Sequence, residues 1–263
     1  MSKPHQLTIL HASLQYSDTR TQRAEDAETV MSQGADLITG TEAGPGSGNT
    51  PEELKRQAKK HGYWFFLPAA PTDCWVAASK ELMPKKPATG WEKVLEGSHA
   101  MGDPHRYGPK GIVWLRGETE LGRISLGAFH GLTKARFHGM ERRHKPGDPV
   151  DHRAQNMKLG RALGRWATRE GKGQALAFVG GDSNLNDKKD DVFFGGPLTT
   201  CWDELKSWPN TGHGCIDVIA SYDKDGRVSC KRARSFNDRQ LHLHTDHFLI
   251  RATYEVRPLP TRS

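Results

Sequence analysis

The 263-residue sequence predicts an α+β fold, sheets and helices in layers within one domain spanning residues 1–263. Three observations predict it. Short apolar runs of strand length recur along the chain, polar helical segments interrupt them, and the two types do not alternate strictly as a parallel α/β sheet requires. No internal repeat and no linker-like stretch divides the chain.

Taken in order, Leu7–Leu14 predicts a first strand. Arg20–Gln33 predicts a helix, with Gly34 placed to end it, and the buried-type run Ala35–Thr41 predicts the next strand. Pro51–His61 predicts a helix with Thr50 as its N-cap. Tyr63–Leu67 and Cys74–Ser79 predict strands, and Lys80–Lys110, rich in Pro, Gly and Lys, predicts a long loop. Gly111–Arg116 and Arg123–His130 predict an antiparallel pair, and Lys134–Val150 a polar loop or flap. Asp151–Glu170 predicts a helix with Lys158, Arg161, Arg165 and Arg169 on one face and Leu159, Leu163 and Trp166 on another. Ala175–Val179, Asp217–Ser221 and Phe248–Val256 predict the remaining strands.

Composition narrows the function classes. The mean hydropathy is −0.71 and no apolar run is long enough to cross a bilayer, so no membrane association is expected. Met1–Gln6 carries no apolar export-type segment, which points to a cytoplasmic location and would suit a bacterial or phage source. The four cysteines, Cys74, Cys201, Cys215 and Cys230, form no Cys-x-x-Cys pair and read as reduced thiols. Formal net charge is +7, and Gly131–Lys172 alone holds eleven Lys/Arg against four Asp/Glu, an excess of 11 − 4 = +7. A positive field concentrated in one segment attracts polyanions such as nucleic acid; its plainer reading is a solvated face.

Chemistry-bearing side chains stand at the tips of the expected strands: Glu42, His130, Asp182 with Asn184, Asp217, and Asp246 with His247. Each alone has a structural reading. Gly-Asp-Ser-Asn is ordinary turn chemistry, Glu42 could cap a helix, His130 could be a core histidine, and Asp217 could be a surface residue at a strand start. Together they supply hard oxygen ligands for Mg²⁺ or Mn²⁺, a base for water and an acid for a leaving oxygen. That is the equipment of phosphodiester hydrolysis.

The order of these pieces resembles the endonuclease/exonuclease/phosphatase superfamily, the deoxyribonuclease I-like proteins. The resemblance rests on Glu42 after the ADLI strand, strand-end His130, Gly181-Asp182-Ser183-Asn184, Ile216-Asp217-Val218-Ile219 and Thr245-Asp246-His247. It implies a four-layered α/β sandwich, with two packed mixed sheets flanked by helices. It implies metal binding by Glu42 and Asp246, and catalytic roles for His130, Asp182, Asn184, Asp217 and His247. Asp182 would orient the water with Asn184 on the phosphate, Asp217 would orient His247, and His130 would protonate the leaving group. Two positions depart from the pattern: Ser13 stands where an Asn is usual, and Thr245 where Ser is usual.

His242-x-His244-x-Asp246-His247 also spells a metallo-β-lactamase zinc string. The residues after His247 contain no further His or Asp to complete that ligand set. The expected substrate is nucleic acid, with DNA preferred and Lys134, Arg136, Arg142 and Arg143 as contacts, and no protein partner is implied. A phosphomonoesterase or lipid phosphodiesterase, or a non-catalytic nucleic-acid-binding protein, are the alternatives. Trp91 lies in the long loop, isolated among charges, where a lipid-acting enzyme would want an exposed aromatic.

Overall fold

Burial alternates along the strands and sorts the chain into layers. On β1 (His5–Ser13), Leu7 and Ile9 face one core while Leu10 and Ala12 face another. On β2 (Leu37–Thr41), Leu37 and Ile38 divide the same way, as do Val76 and Trp75 on β4 (Trp75–Ser79). A strand with both faces covered needs two cores, and side chains of period two supply them. The computed structural model describes residues 4–14, 19–43, 50–69, 72–101, 107–132, 150–185, 194, 196–209, 211 and 216–259.

The remaining elements are β3 (Tyr63–Phe66), β5 (Ala88–Leu95), β6 (Lys110–Thr119), β7 (Gly122–His130), β8 (Leu176–Asp182), β9 (Thr199–Thr200), β10 (Asp217–Tyr222), β11 (Val228–Phe236) and β12 (Leu249–Val256). The helices are α1 (Arg20–Met31), α2 (Thr50–Lys60), α3 (Ser98–Met101), α4 (His152–Glu170), α5 (Cys201–Leu205) and α6 (Asp238–Leu241).

Two six-stranded sheets form, in the orders β11-β12-β1-β2-β4-β3 and β5-β6-β7-β8-β10-β9. Each has one parallel pair at its centre, β1 with β2 and β7 with β8, and antiparallel neighbours on both sides. A helix makes each parallel crossover, α1 in the first sheet and α4 in the second. The sheets pack face to face, with β1, β2 and β4 against β7, β8 and β10. The core between them joins Ile9, Val76, Leu126, Phe178 and Tyr254, and it continues under α4 through Leu159, Leu163 and Trp166. A second core joins Leu10, Ile38 and Trp75 to Val30 of α1 and Leu54 of α2. The result is the expected four-layered sandwich. Gly180 marks the closest approach of the sheets: a Cβ there would lie 2.2 Å from Thr39 Oγ1 on the facing sheet.

Several expectations need correction. The expected loop 80–110 holds β5, which pairs with β6, and the short α3. Trp91 lies in β5, half-buried against the core, not on an exposed loop. β11 was also absent from the sequence reading. Both are edge strands with mixed, half-exposed sequences, so neither shows the apolar periodicity that marks a buried strand. Thr50 is the first residue of α2 rather than the residue before it. Cys74, Cys201 and Cys230 are buried thiols outside any disulfide. The expected flap at 134–150 and the contacts Lys134, Arg136, Arg142 and Arg143 lie outside the described residues. No helix among the described residues is long and apolar enough to cross a membrane.

Candidate active site

The topology dictates where a site can form. The parallel strands of both sheets end, and their antiparallel neighbours begin, along one edge of the sandwich. Strand ends deliver Glu42 (after β2), His130 (β7) and Asp182 (β8); strand starts deliver Asp217 (β10) and His247 (before β12). Register aligns three of them in a row across the second sheet, with Asp182 opposite His130 on one side and Asp217 on the other.

Asp182 lies at the centre, fully buried. Its Oδ1 accepts the Asn184 backbone N–H at 2.7 Å. Its Oδ2 lies 3.8 Å from His130 Nε2 and 3.9 Å from His247 Nε2. Each imidazole is braced from behind by a carboxylate at Nδ1: Asp217 Oδ2 at 2.9 Å for His247, and Asp73 Oδ2 at 2.6 Å for His130. Carboxylates at Nδ1 fix ring orientation and turn both Nε2 atoms toward Asp182. Glu42 Oε1 lies 3.4 Å from His130 Nε2, and Asp246 Oδ1 lies 3.8 Å from His247 Nε2. The structure therefore brings together Glu42, His130, Asp182, Asp217, Asp246 and His247. Asn184 adjoins them, and its side-chain amide donates to Gly131 O at 3.2 Å, tying the β8 tip to the β7 tip.

Glu42 and Asn184 both adopt left-handed backbone conformations, with φ of 65° and 51°. Non-glycine residues pay strain there, and such residues concentrate at functional sites. The Asn184-to-Asp182 bond is itself an Asx turn, so the turn chemistry and the site are the same residues.

Electrostatics follow from burial and pairing. Burial opposes charge on His247, but Asp217, with help from Asp182 and Asp246, outweighs it and raises the imidazole to about 9. Burial likewise opposes charge on Asp217, yet His247 and His11 hold it well below the carboxylate range. Burial and the neighbouring Asp217 charge push Asp182 up. Burial raises Glu42 despite His130. Burial again opposes charge on His130, and Asp73 more than restores it, so that the imidazole is raised.

Sequence reasoning missed a supporting set. Asp73 precedes β4 and accepts from Lys110 Nζ at 3.1 Å as well as from His130. Lys110 is buried and its Nζ lies 3.2 Å from His130 Nδ1. His11, inside β1, lies 3.4 Å from Asp217 Oδ1 through Nε2 and 3.1 Å from Thr39 Oγ1 through Nδ1. The available signal was a histidine within the apolar run TILHAS and charged residues at the starts of strands. Ser13 does not replace the usual Asn by a side-chain contact: among the described residues its buried hydroxyl has no hydrogen bond, and its carbonyl accepts from Thr245 Oγ1 at 2.7 Å.

Among the described residues, Asp182, Asp217 and His247 offer ligand atoms all within 4.8 Å of one another. Asp217 Oδ1 is buried with His11 Nε2 3.4 Å away and no hydrogen bond of standard geometry among the described residues, while Oδ2 is taken up by His247. With Glu42 and Asp246 alongside, carboxylate oxygens dominate, which fits a hard divalent cation rather than zinc.

No family model matches the sequence, and no curated protein sequence matches it. Solved structures do. D. rerio TDP2 complexed with single strand DNA product matches with a TM-score of 0.64 at 16% identity, over 95% of this chain and 98% of that one. The human Nocturnin catalytic domain with bound sulfate anion matches at 0.69 and 12% identity, over 96% and 95%. An endonuclease/exonuclease/phosphatase from Beutenbergia cavernae DSM 12333 matches at 0.64 and 12%, over 98% and 73%. The fold is that of the endonuclease/exonuclease/phosphatase superfamily. Among the described residues, His242 and His244 join no ligand cluster with Asp246 and His247. His242 caps α6 in a left-handed conformation, and His244 Nε2 pairs with Glu25 of α1 at 2.9 Å on the protein surface.

Proposed function

We propose that this protein is a divalent-metal-dependent phosphodiester hydrolase whose substrate is nucleic acid, with DNA preferred. The observation that carries the reading is the pair of carboxylate-braced imidazoles converging on Asp182 Oδ2 at 3.8 and 3.9 Å. Hydrolysis in line needs a base on the attacking side, an acid at the leaving oxygen and positive charge on the phosphoryl oxygens.

Asp182, pushed up by burial and Asp217, accepts the proton of the attacking water. His130, held protonated by Asp73, delivers its Nε2 proton to the leaving oxygen. His247, raised to about 9, presents a cationic N–H to a non-bridging oxygen. Asp217 holds that ring in place, and Asn184 fixes the Asp182 carboxylate through its backbone N–H. Glu42 and Asp246 would hold Mg²⁺ or Mn²⁺, which would polarise the phosphoryl oxygen. The substrate class rests on the +7 excess between Gly131 and Lys172, and it accords with the DNA product held by the similar TDP2 structure. Trp91 packs against the core, which weakens the lipid alternative.

The test is cleavage of supercoiled plasmid, linear DNA and RNA with Mg²⁺, Mn²⁺ or EDTA, beside Asp182→Ala. Metal-dependent cleavage lost in the variant is expected. No cleavage of any of the three under either metal would overturn the reading.

A further inference from the structure

The crossover helix α4 starts at the active site and leads away from it. Near its start, buried Asn156 accepts Leu132 N–H at 2.7 Å and donates to Leu132 O at 3.1 Å and Ser183 O at 3.0 Å. Those two residues lie just beyond His130 and Asp182, so the first turns of α4 are pinned to the site's rim. Two residues further on, Lys158 turns to solvent, followed by Arg161 and Arg165 at the three- and four-residue spacings of one helix face. The opposite face, Leu159, Leu163 and Trp166, is buried in the core, which fixes the outward aim of the cations.

These three cations have no carboxylate within ion-pair distance among the described residues. The next in the series, Arg169, does: Glu92 lies 2.8 Å away and Glu170 3.3 Å away. The uncompensated stretch thus ends one turn past Arg165. Like charges at these spacings repel each other along a helix, and among the described residues no carboxylate pairs with them. At a rise of about 1.5 Å per residue, Lys158 to Arg165 spans roughly 10 Å. One strand of a nucleic acid places a phosphate about every 3.4 Å of duplex axis, so the ridge spans about three.

We propose that Lys158, Arg161 and Arg165 form a phosphate-tracking ridge for a nucleic-acid strand that leaves the active site along α4. The inference rests on the nucleic-acid reading above and extends it by giving the strand's path. Each neutralised phosphate of a single strand contributes roughly 0.7 to the slope of log K against log salt, so three contribute about 2. Between 50 and 200 mM salt, that difference amounts to roughly 20-fold in affinity.

The experiment measures binding of a fluorescent single-stranded 20-mer and of a duplex to the full chain in EDTA, across salt. It compares wild type with Lys158→Ala/Arg161→Ala/Arg165→Ala. A charge-matched control removes Lys55 and Lys59 of α2 and Lys224, which lies past the end of β10 remote from Asp217. Single Arg161→Gln provides a milder variant, expected to lower the slope by about 0.7. The ridge variant should lower the slope by about 2 with its Tm held, and the control should leave it within the error of wild type. An unchanged slope in the ridge variant, or an equal fall in ridge and control, overturns the ridge. If wild type cleaves nucleic acid while the ridge slope is unchanged, only the ridge falls. If wild type neither binds nor cleaves any nucleic acid, the substrate reading falls with it.

Discussion

Replacing Asp217 by Asn removes the charge behind His247 while keeping the shape of the side chain. Asp217 is fully buried, bonded to His247 Nδ1 at 2.9 Å and 3.4 Å from His11 Nε2. The interaction raises His247 from 6.5 to about 9, against the opposing effect of burial. That rise corresponds to roughly 3 kcal/mol favouring the protonated ring in the folded chain. Because the folded value lies above the unfolded one, this stabilisation is fully present below about pH 6.5. It is lost as pH climbs through about 9. On the acid side, Asp217 is held below its ordinary 3.8, so the pair weakens only as pH falls below the carboxylate range. Denaturant unfolding in EDTA at pH 6.0 and 9.5 reads the effect. Wild type should lose roughly 3 kcal/mol more than Asp217→Asn between the two pH values. The same variant should lower kcat by about 10²- to 10⁴-fold with a smaller change in KM, since orientation of a proton-carrying ring is lost. If both proteins lose the same stability between pH 6.0 and 9.5, the pair does not hold the charge assigned to it.

Four further outcomes follow from the geometry. Glu42→Gln should raise the Mg²⁺ concentration for half-maximal activity by at least about 10-fold, with activity returning at high metal, as a metal titration will show. Asp73→Asn should lower turnover of a diester with an alkoxide leaving group far more than one releasing p-nitrophenolate, because only the former needs the His130 proton; equal losses would remove His130 from that role. Gly180→Ala should cost about 1–3 kcal/mol in unfolding experiments, since the new Cβ would sit 2.2 Å from Thr39 Oγ1. It should also depress activity through His11, which Thr39 holds. His244→Ala should leave activity and Tm nearly unchanged, within about 0.5 kcal/mol, because its partner Glu25 is on the surface.

What could be read from the sequence followed burial. β2, β7 and β8 carry apolar runs covered on both faces, β12 alternates buried with half-buried residues, and the polar residues at their tips stood out against them. β5 and β11 are edges whose small, charged and apolar residues mix without a sustained period of two. Asp73 and Lys110 went unseen for a different reason: Asp73 precedes β4 and Lys110 opens β6, neither within a motif, and only the pairing of β6 with β7 carries Lys110 to His130. His242 and His244 misled because adjacency in sequence suggested a shared ligand set, while a left-handed turn and an ion pair with α1 send them elsewhere.

β1 lies between β12 and β2, so the first sheet is closed by a strand made more than two hundred residues after the one it joins. His247 rides in on that closing strand. A chain still on the ribosome can assemble β7, β8 and their half of the cleft, but it lacks both the second imidazole and the neighbour that seals β1. A product that ends before β12 lacks His247 and leaves the cleft with one of its two carboxylate-braced imidazoles. This chain order means that the cleft is complete only once β12 has been made.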